Sequence, residues 1–337
     1  MNILITGTGA VTQEPRAAGE PGDAAWFDPA AHLGRRGWKY HSPATRYLLA
    51  AGHLALGRRH DDPPLTGGPS SRLGVVTGTQ YAIDRAHRRM DDILRTEGVR
   101  GISPAEVPAF SMSTPGSQLA ITVGARAFSV TLTNPVTAGL EAVHFAMTAL
   151  RTGRADRVVA AATDRAPDGD GAGRGGGQYD GAAAVVLSAP DPAARTGALA
   201  TLTGGLSRFV APGADGARDP AALAAAGRRI AALADGANGL RLVVSGPAGA
   251  APFGRAVRDA VVAALGAGGG SLRDPAEAMA EARHCAVSGL LELIALARAA
   301  EPALLVSVSE SGHLTAIALT GPARPGFHRT TEKRIPI

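Results

Sequence analysis

The sequence has few aromatic residues and a single cysteine. Phe, Trp and Tyr make up 4% of its 337 residues, which argues against an aromatic platform for nucleic-acid bases. The lone Cys285 excludes an internal disulfide and a cysteine-rich metal site. Because nothing indicates an oxidising compartment, we expect a cytoplasmic protein that holds no metal and no cofactor.

Long hydrophobic runs are missing as well. The most apolar helical segment, residues 290–300, is interrupted by Glu292 and Arg298, so no membrane span is expected. The start, MNILITGTGAVT, has no basic region before its short apolar stretch, which is unlike a signal peptide. The net charge of +5 is dispersed over short clusters, so a solvated surface explains it better than a nucleic-acid or membrane partner.

Two glycine-rich stretches lack what a phosphate site needs. Gly7-Thr8-Gly9 follows a predicted strand over residues 2–5, but the third glycine of a dinucleotide fingerprint is absent and Pro15 would interrupt the helix. Residues 166–181 have no Gly-Lys-Ser/Thr ending. The first stretch is therefore not expected to bind a cofactor, and the second predicts a linker.

The most informative stretch is residues 128–164. SVTLT alternates like a strand, Asn134-Pro135 predicts a turn, residues 136–150 have helical spacing, and VVAAAT predicts a second strand. A strand that ends abruptly in a helix can present a nucleophile at the turn, beside the free N–H groups of the helix start. Here the turn presents Val136, which has no lone pair, proton or charge to offer.

The second half of the chain repeats the elements of the first in the same order. The paired segments are RLGVVTGT with GLRLVVSGPAG, VTAGLEAVHFAMTAL with AVSGLLELIALARAA, VVAAATD with LLVSVSE, and AAAVVLS with LTAIALTG. With 45% hydrophobic residues, both halves can build a core. We expect two duplicated α/β halves, residues 1–190 and 196–320, followed by an irregular basic tail over residues 321–337.

Six segments in this order resemble the β-ketoacyl synthase family over nearly the whole chain. They are ITGTGAVT, PGSQLAITVGARAF, TLTNPVTAGLEAVHFA, VVSGPAGAAPFGRAVRDAVVAALG, ARHCAVSGLLELIALA and SVSESGHLTAIAL. The resemblance implies an α/β thiolase fold, in which the duplicated halves form a layered α-β-α-β-α structure.

Carried across the resemblance, the family's catalytic residues are missing. Val136 stands where the cysteine nucleophile is expected, Ser245 at the first histidine and Arg283 at the second. A shift of one residue would put His284 at the second histidine instead, and Ala278 stands at the supporting lysine. The phenylalanine-bearing glycine motif has become residues 309–312, SESG. Without a thiolate and two imidazoles, thioester attack cannot occur at this site.

The resemblance to inert members of the family predicts a chain-length factor of a type II polyketide synthase, not an enzyme. Its partner would be an active ketosynthase in a heterodimer, with an acyl carrier protein reached through that complex. Val136 can only pack, which together with the segment FDPAAHLGRRGWKYHSPATRYLLAA favours a highly reducing, polyene-forming pathway. The expected tunnel or gate residues are Phe110, Met112, Ser113 and Thr114, and the expected interface residues are Gln118, Ile121, Val130 and Leu132.

Two alternatives remain at this point. A divergent thiolase-fold acyltransferase could use a relocated nucleophile, such as Cys285 or Ser245. A non-catalytic homodimeric scaffold would need no synthase partner.

Overall fold

The computed structural model describes residues 1–13, 26–167, 178–191, 197–213, 216–234, 238–274 and 278–322. Most of the predicted linker and of the predicted tail therefore lies outside the described residues. The strands are β1 (Ile3–Thr12), β2 (Leu73–Gly78), β3 (Phe128–Leu132), β4 (Arg157–Asp164), β5 (Gly181–Ser188), β6 (Ala200–Phe209), β7 (Arg241–Gly246), β8 (Ala280–Glu281), β9 (Ala303–Val308) and β10 (His313–Thr320).

The α-helices of the described residues are α1 (Pro29–Leu33), α2 (Pro43–Leu56), α3 (Gly67–Ser71), α4 (Asp84–Thr96), α5 (Thr114–Val123), α6 (Ala138–Arg151), α7 (Pro220–Ala231), α8 (Ala251–Ala267) and α9 (Ser288–Ala299). Short 3-10 turns lie at Trp38–Tyr40, Val99–Gly101, Pro104–Phe110, Ala232–Ala234, Ala248–Ala250 and Cys285–Val287. Of the helices described, none is both long and apolar enough to cross a membrane.

The strand order confirms the predicted duplication. The sheet runs β3-β2-β4-β5-β1-β6-β10-β9-β7-β8, so the order of the first five strands is repeated in reverse by the second five. The pairing directions match too: β2 is parallel to β3 and β4, as β7 is to β8 and β9, and the remaining pairs are antiparallel. The halves meet where β1 pairs with β6, with Ile3 opposite Leu202.

Helices cover both faces of each half and produce the predicted layers. In β4, Val158 and Ala160 point into a central core with α6 and α9, while Val159 and Ala161 point into an outer core with α2 and α5. This alternation is the two-residue period of a strand buried on both faces. The second half repeats it, because Leu305 faces the central core and Leu304 faces α7 and α8. The layers are therefore α-β-α-β-α.

The first strand is longer than the predicted residues 2–5, because β1 continues through Gly7-Thr8-Gly9 as far as Thr12. A Cβ on Gly7 would lie 2.0 Å from the Ala55 carbonyl oxygen, and one on Gly9 would lie 2.3 Å from that of Ala51. The glycines thus allow α2 to pack directly on the strand. They form a packing contact, and no phosphate-binding turn exists at this position.

The start of α2 follows the sequence closely. Ser42 is its N-cap, since its hydroxyl accepts a hydrogen bond from the Thr45 N–H at 3.3 Å, and Pro43 occupies the first turn. The helix ends at Gly57 in the left-handed conformation, with a φ of 62°. This helix lies against β1, β4 and β5 and closes one outer face of the first half.

Candidate functional site

Val136 occupies a strained turn between β3 and α6. Its φ is +64°, in the left-handed region that a β-branched residue rarely adopts. The Thr137 N–H donates to the Pro135 carbonyl at 2.7 Å, which closes the turn tightly. The Val136 side chain is 6% exposed, and its backbone N–H donates to Oε1 of Gln80 at 3.1 Å. The turn therefore has the sharp geometry predicted for a nucleophile mount, with an inert side chain on it.

A buried carboxylate fixes the turn to the helix that follows. Glu141 accepts from the Asn134 side-chain amide at both oxygens, at 2.9 and 2.7 Å. The Thr137 hydroxyl donates to the same carboxylate at 2.9 Å. Because these partners lie before, within and after the turn, the network stabilises its conformation without any contribution from the Val136 side chain.

A second buried carboxylate, Asp164, organises the neighbouring loops. Its Oδ1 accepts from the Thr79 hydroxyl at 3.0 Å and from the backbone N–H groups of Gln80 and Tyr81 at 2.8 and 2.6 Å. Its Oδ2 accepts from the Ala286 N–H at 2.9 Å. Burial raises the pKa of Asp164 to about 6, while these four donors oppose the rise.

A cavity of about 570 Å³ opens above the Val136 turn. Its lining is mostly polar and comes from both halves: Gln80, Tyr81, Pro135, Val136, Gln178, Pro247, Ala248, Gly249, Glu281, Ala282, Arg283, Ser309, Glu310 and Ser311. The structure thus brings together Val136, Arg283 and the segment predicted to replace the glycine motif. Arg283 is exposed and donates to Glu281 at 2.8 Å.

Ser245 does not line this cavity. It is 1% exposed near the end of β7, and within the described residues its hydroxyl has no hydrogen-bond partner. Pro247, the first residue after β7, lines the cavity instead, although nothing in the sequence predicted a role for it. Neither side chain can accept a proton as an imidazole would. Ala278 is exposed and is also outside the lining.

Cys285 and His284 lie beside the cavity in unreactive surroundings. Cys285 is 1% exposed, and burial together with the neighbouring Asp164 raises the pKa of its thiol. His284 lies within 3.2 Å of the Gln13 carbonyl through Nε2 and packs against the Tyr179 ring. In the part of the chain that the structure describes, no three His, Cys, Asp or Glu residues are grouped to hold a metal ion.

The four predicted tunnel residues lie away from the cavity, and none of them lines it. Phe110 borders a separate space of about 180 Å³ against α4, with Met90 and Ile93. Met112 packs on buried Ala44, Ala82 and Ile83. Ser113 is exposed, and Thr114 begins α5. All four therefore belong to the segment that leads into α5.

The predicted interface residues share one end of the sheet. β3 is the terminal strand, and among the described residues its only hydrogen-bonded neighbour is β2. Val130 and Leu132 on this strand are half-buried, as is Gln118 on α5. Ile121, also on α5, is 68% exposed, which is unusual for a large aliphatic side chain. An edge strand beside an exposed apolar residue is a typical site of association between chains.

Residues 9–187 match the sequence model described as Beta-ketoacyl synthase, N-terminal domain, and this match covers more than half of the chain. The chain belongs to the β-ketoacyl synthase family. No curated protein matches the sequence.

Solved structures of synthase relatives share the fold. The ishigamide ketosynthase/chain length factor superimposes with a TM-score of 0.70 at 19% identity, over 95% of this chain and 99% of the other. A type II PKS acyl-carrier protein in complex with its ketosynthase (AntDE:AntF) gives a TM-score of 0.71 at 18% identity, with the same coverage. The Streptomyces albus oxazolomycin ketosynthase domain OzmH KS8 gives 0.62 at 17% identity, over 96% of each chain. These likenesses confirm the thiolase fold.

Gln80, Asp164 and Pro247 are the residues of this β-ketoacyl synthase family site that sequence reasoning missed. Gln80 lies shortly after the end of β2, Asp164 is the last residue of β4, and Pro247 comes directly after β7. In sheets of this kind, the carboxyl ends of parallel strands lie at the same edge, where sites form. The position of each residue just at the end of a predicted strand was therefore the available signal.

Proposed function

We propose that this chain is a non-catalytic chain-length factor that forms a heterodimer with an active ketosynthase. The observation that carries the proposal is Val136 at the sharp turn after β3, in the place where a member of this family needs its nucleophile. Pro247 and Arg283, which face the same cavity, supply no imidazole. The reaction then belongs to the partner, and an acyl carrier protein delivers substrate to the complex.

The names of two structural relatives support this choice of partner. One is called a ketosynthase/chain length factor, and the other is a type II PKS ketosynthase in complex with an acyl-carrier protein. We assign a highly reducing, polyene-forming pathway, because the apolar Val136 offers no hydrogen bond to a poly-ketone chain. The partner's acyl chain would extend beside Phe110, Met112, Ser113 and Thr114.

The proposed heterodimer interface is the β3 edge with α5. Gln118 and Ile121 lie on α5, which contacts β3, whereas Val130 and Leu132 lie on the terminal strand itself and pack towards the central core. A partner that pairs with the β3 edge would satisfy its backbone groups and cover Ile121. Both sources of stabilisation are absent when the chain is alone, so the chain should be less stable without its partner.

Co-expression with the proposed ketosynthase partner tests the proposal. We expect a one-to-one complex by light scattering, and Ile121→Asp should disrupt it by burying an unpaired charge. Phe209→Asp is the matched control, since Phe209 is 55% exposed on β6, five strands away from β3 in the sheet. A complex equally weakened by both substitutions, or a stable homodimer that ignores the ketosynthase, would contradict the heterodimer.

Intact-mass measurement of the complex after incubation with an acyl-carrier thioester tests the inactive role. The acyl adduct should appear on the ketosynthase and not on this chain, because covalent loading requires a nucleophile. An adduct on this chain would instead favour the acyltransferase alternative. Its candidates are disfavoured by burial, since Cys285 and Ser245 are each 1% exposed.

A further inference from the structure

The backbone N–H of Val136 is already occupied by a side chain of the same molecule. Oε1 of Gln80 accepts this hydrogen at 3.1 Å, although the two residues are 56 positions apart. Gln80 and Val136 both line the 570 Å³ cavity, so the bond lies at its floor. An amide oxygen therefore sits where the oxygen of a bound carbonyl compound could otherwise accept the same hydrogen.

A free N–H at such a turn has a specific chemical use. When a nucleophile attacks a thioester, negative charge develops on the carbonyl oxygen, and backbone N–H groups at the nucleophile's own turn can stabilise it. Such a donor must be unoccupied and correctly aimed before the reaction begins. The Gln80 oxygen competes for this donor without a binding step, because it belongs to the same chain.

Gln80 is held in place by its backbone. Its N–H donates to Oδ1 of Asp164 at 2.8 Å, and the Tyr81 N–H donates to the same oxygen. Asp164 is fully buried at the end of β4. The carboxylate thus fixes the start of the Gln80 side chain at the cavity edge, and only the side-chain torsions remain to be ordered for the bond to Val136.

We propose that the Gln80 side chain occupies the Val136 N–H, which would otherwise be available to bind an oxyanion. Catalysis is then blocked by Gln80 as well as by the lack of a nucleophile at Val136. A cysteine introduced at position 136 would be alkylated by reagents but would accept acyl groups poorly. Freeing the N–H restores acylation: the thiolate forms a bond to the carbonyl carbon, the thioester C–S bond breaks, and the departing thiolate takes a proton. The proposal concerns this chain alone, so the result of its test does not depend on whether the chain binds a ketosynthase.

The test compares full-length Val136→Cys with Val136→Cys/Gln80→Ala. The matched control is Val136→Cys/Gln178→Ala, because Gln178 lines the same cavity while its Oε1 has no hydrogen-bond partner among the described residues. Two rates are measured by intact mass, with peptide mapping to separate position 136 from Cys285. One is acylation by hexanoyl-N-acetylcysteamine, and the other is alkylation by iodoacetamide, which develops no oxyanion.

We expect Gln80→Ala to raise the acylation rate about 10-fold to 100-fold, which lies just below the roughly 100-fold to 1000-fold effect typical of a single oxyanion donor. Alkylation should change by less than about threefold, since thiol accessibility and pKa govern it. Equal acylation of the single and double variants would overturn the proposal. An equal gain in acylation rate in the Gln178→Ala control, or a parallel rise in alkylation rate, would also overturn it. Either result would mean that the substitution acts by widening access to the cavity.

Gln80→Met provides a second variant that keeps the length of the side chain and removes the acceptor. The bond from the Gln80 backbone to Asp164 is retained in both variants, so the local loop should stay folded. Circular dichroism and the melting temperature verify this for each protein. If Gln80→Ala fails to fold, the Gln80→Met variant should still accelerate acylation. Its failure to do so would refute the blocking role of Gln80.

Discussion

The backbone N–H of Ala286 donates a 2.9 Å hydrogen bond to Oδ2 of Asp164, 122 residues away in sequence. Asp164 ends β4 in the first half, and Ala286 lies in the turn that leads into α9 in the second half. The other oxygen of Asp164 holds the loop that carries Gln80. One buried carboxylate therefore joins the two halves at the cavity and orients the residue that contacts Val136.

Replacing Asp164 by Asn should lower the free energy of unfolding by about 2–4 kcal/mol. The amide has one oxygen, so its NH2 group must face a backbone N–H that now lacks an acceptor. Asp156→Asn is the control, because its ion pair with Arg72 is exposed and should contribute less than about 1 kcal/mol. Urea unfolding of the three proteins measures both values, and equal losses would contradict the role of Asp164.

The stability contributed by Asp164 should depend on pH. Its folded pKa of about 6 lies above the ordinary value of 3.8, because burial disfavours the charged form. The folded chain therefore holds this proton more tightly than the unfolded chain, which stabilises the fold below about pH 4. That stabilisation is lost as the pH rises through about 6, by up to about 3 kcal/mol.

The measurement is the difference in unfolding free energy between wild type and Asp164→Asn at several pH values. Other titrating groups are common to both proteins and cancel in this difference. The difference should be larger near pH 4 than near pH 7. A difference that instead grows with pH would mean that the carboxylate form is the one stabilised by folding.

Gly139→Ala should destabilise the fold by about 2 kcal/mol or more. A Cβ on this residue would lie 2.1 Å from the Ala286 carbonyl oxygen, so the first turn of α6 and the turn before α9 would have to separate. Gly266→Ala in α8 is the control, since its Cβ would meet nothing within 4 Å. It should be neutral or stabilising by up to about 1 kcal/mol, and thermal unfolding compares the two.

Cys285 should react very slowly with a thiol reagent in the native protein. It is the single cysteine of the chain and 1% exposed, and burial raises the pKa of its thiol. We expect the reaction with Ellman's reagent to be at least about 100-fold slower than in denaturant. Rapid native labelling would show an accessible thiol and would support the alternative of a relocated nucleophile.

Under the proposed function, Ser113→Trp should shorten the product of the complex. Ser113 is exposed just before α5, so a large side chain there would project towards the partner's tunnel. Met112→Trp should mainly reduce stability, because Met112 packs on Ala44 and Ala82. Val99→Trp, at a residue 77% exposed in a separate turn, is the control. Mass spectrometry of the products compares chain lengths; an unchanged length in Ser113→Trp would argue against a gate here.

Periodicity and turn chemistry were sufficient for most of the fold. Buried strands such as VVAAAT, the Ser42 N-cap and the repeated order of elements are local patterns, and the structure confirms them. The full length of β1 was not predicted, because Gly7 and Gly9 are compatible with the end of a strand as well as with a close packing contact inside one. Which of the two occurs depends on α2, which packs on the strand from far along the chain.

The sequence by itself determined the absence of chemistry at Val136, because no conformation can give a valine a nucleophilic atom. It also determined the alternation of strands and helices, which follows from side-chain spacing. Only the tertiary structure decided that Pro247 rather than Ser245 faces the cavity and that Gln80 occupies the Val136 N–H. Those contacts join segments that are distant in sequence, so they depend on how the layers pack and on the register of the strands.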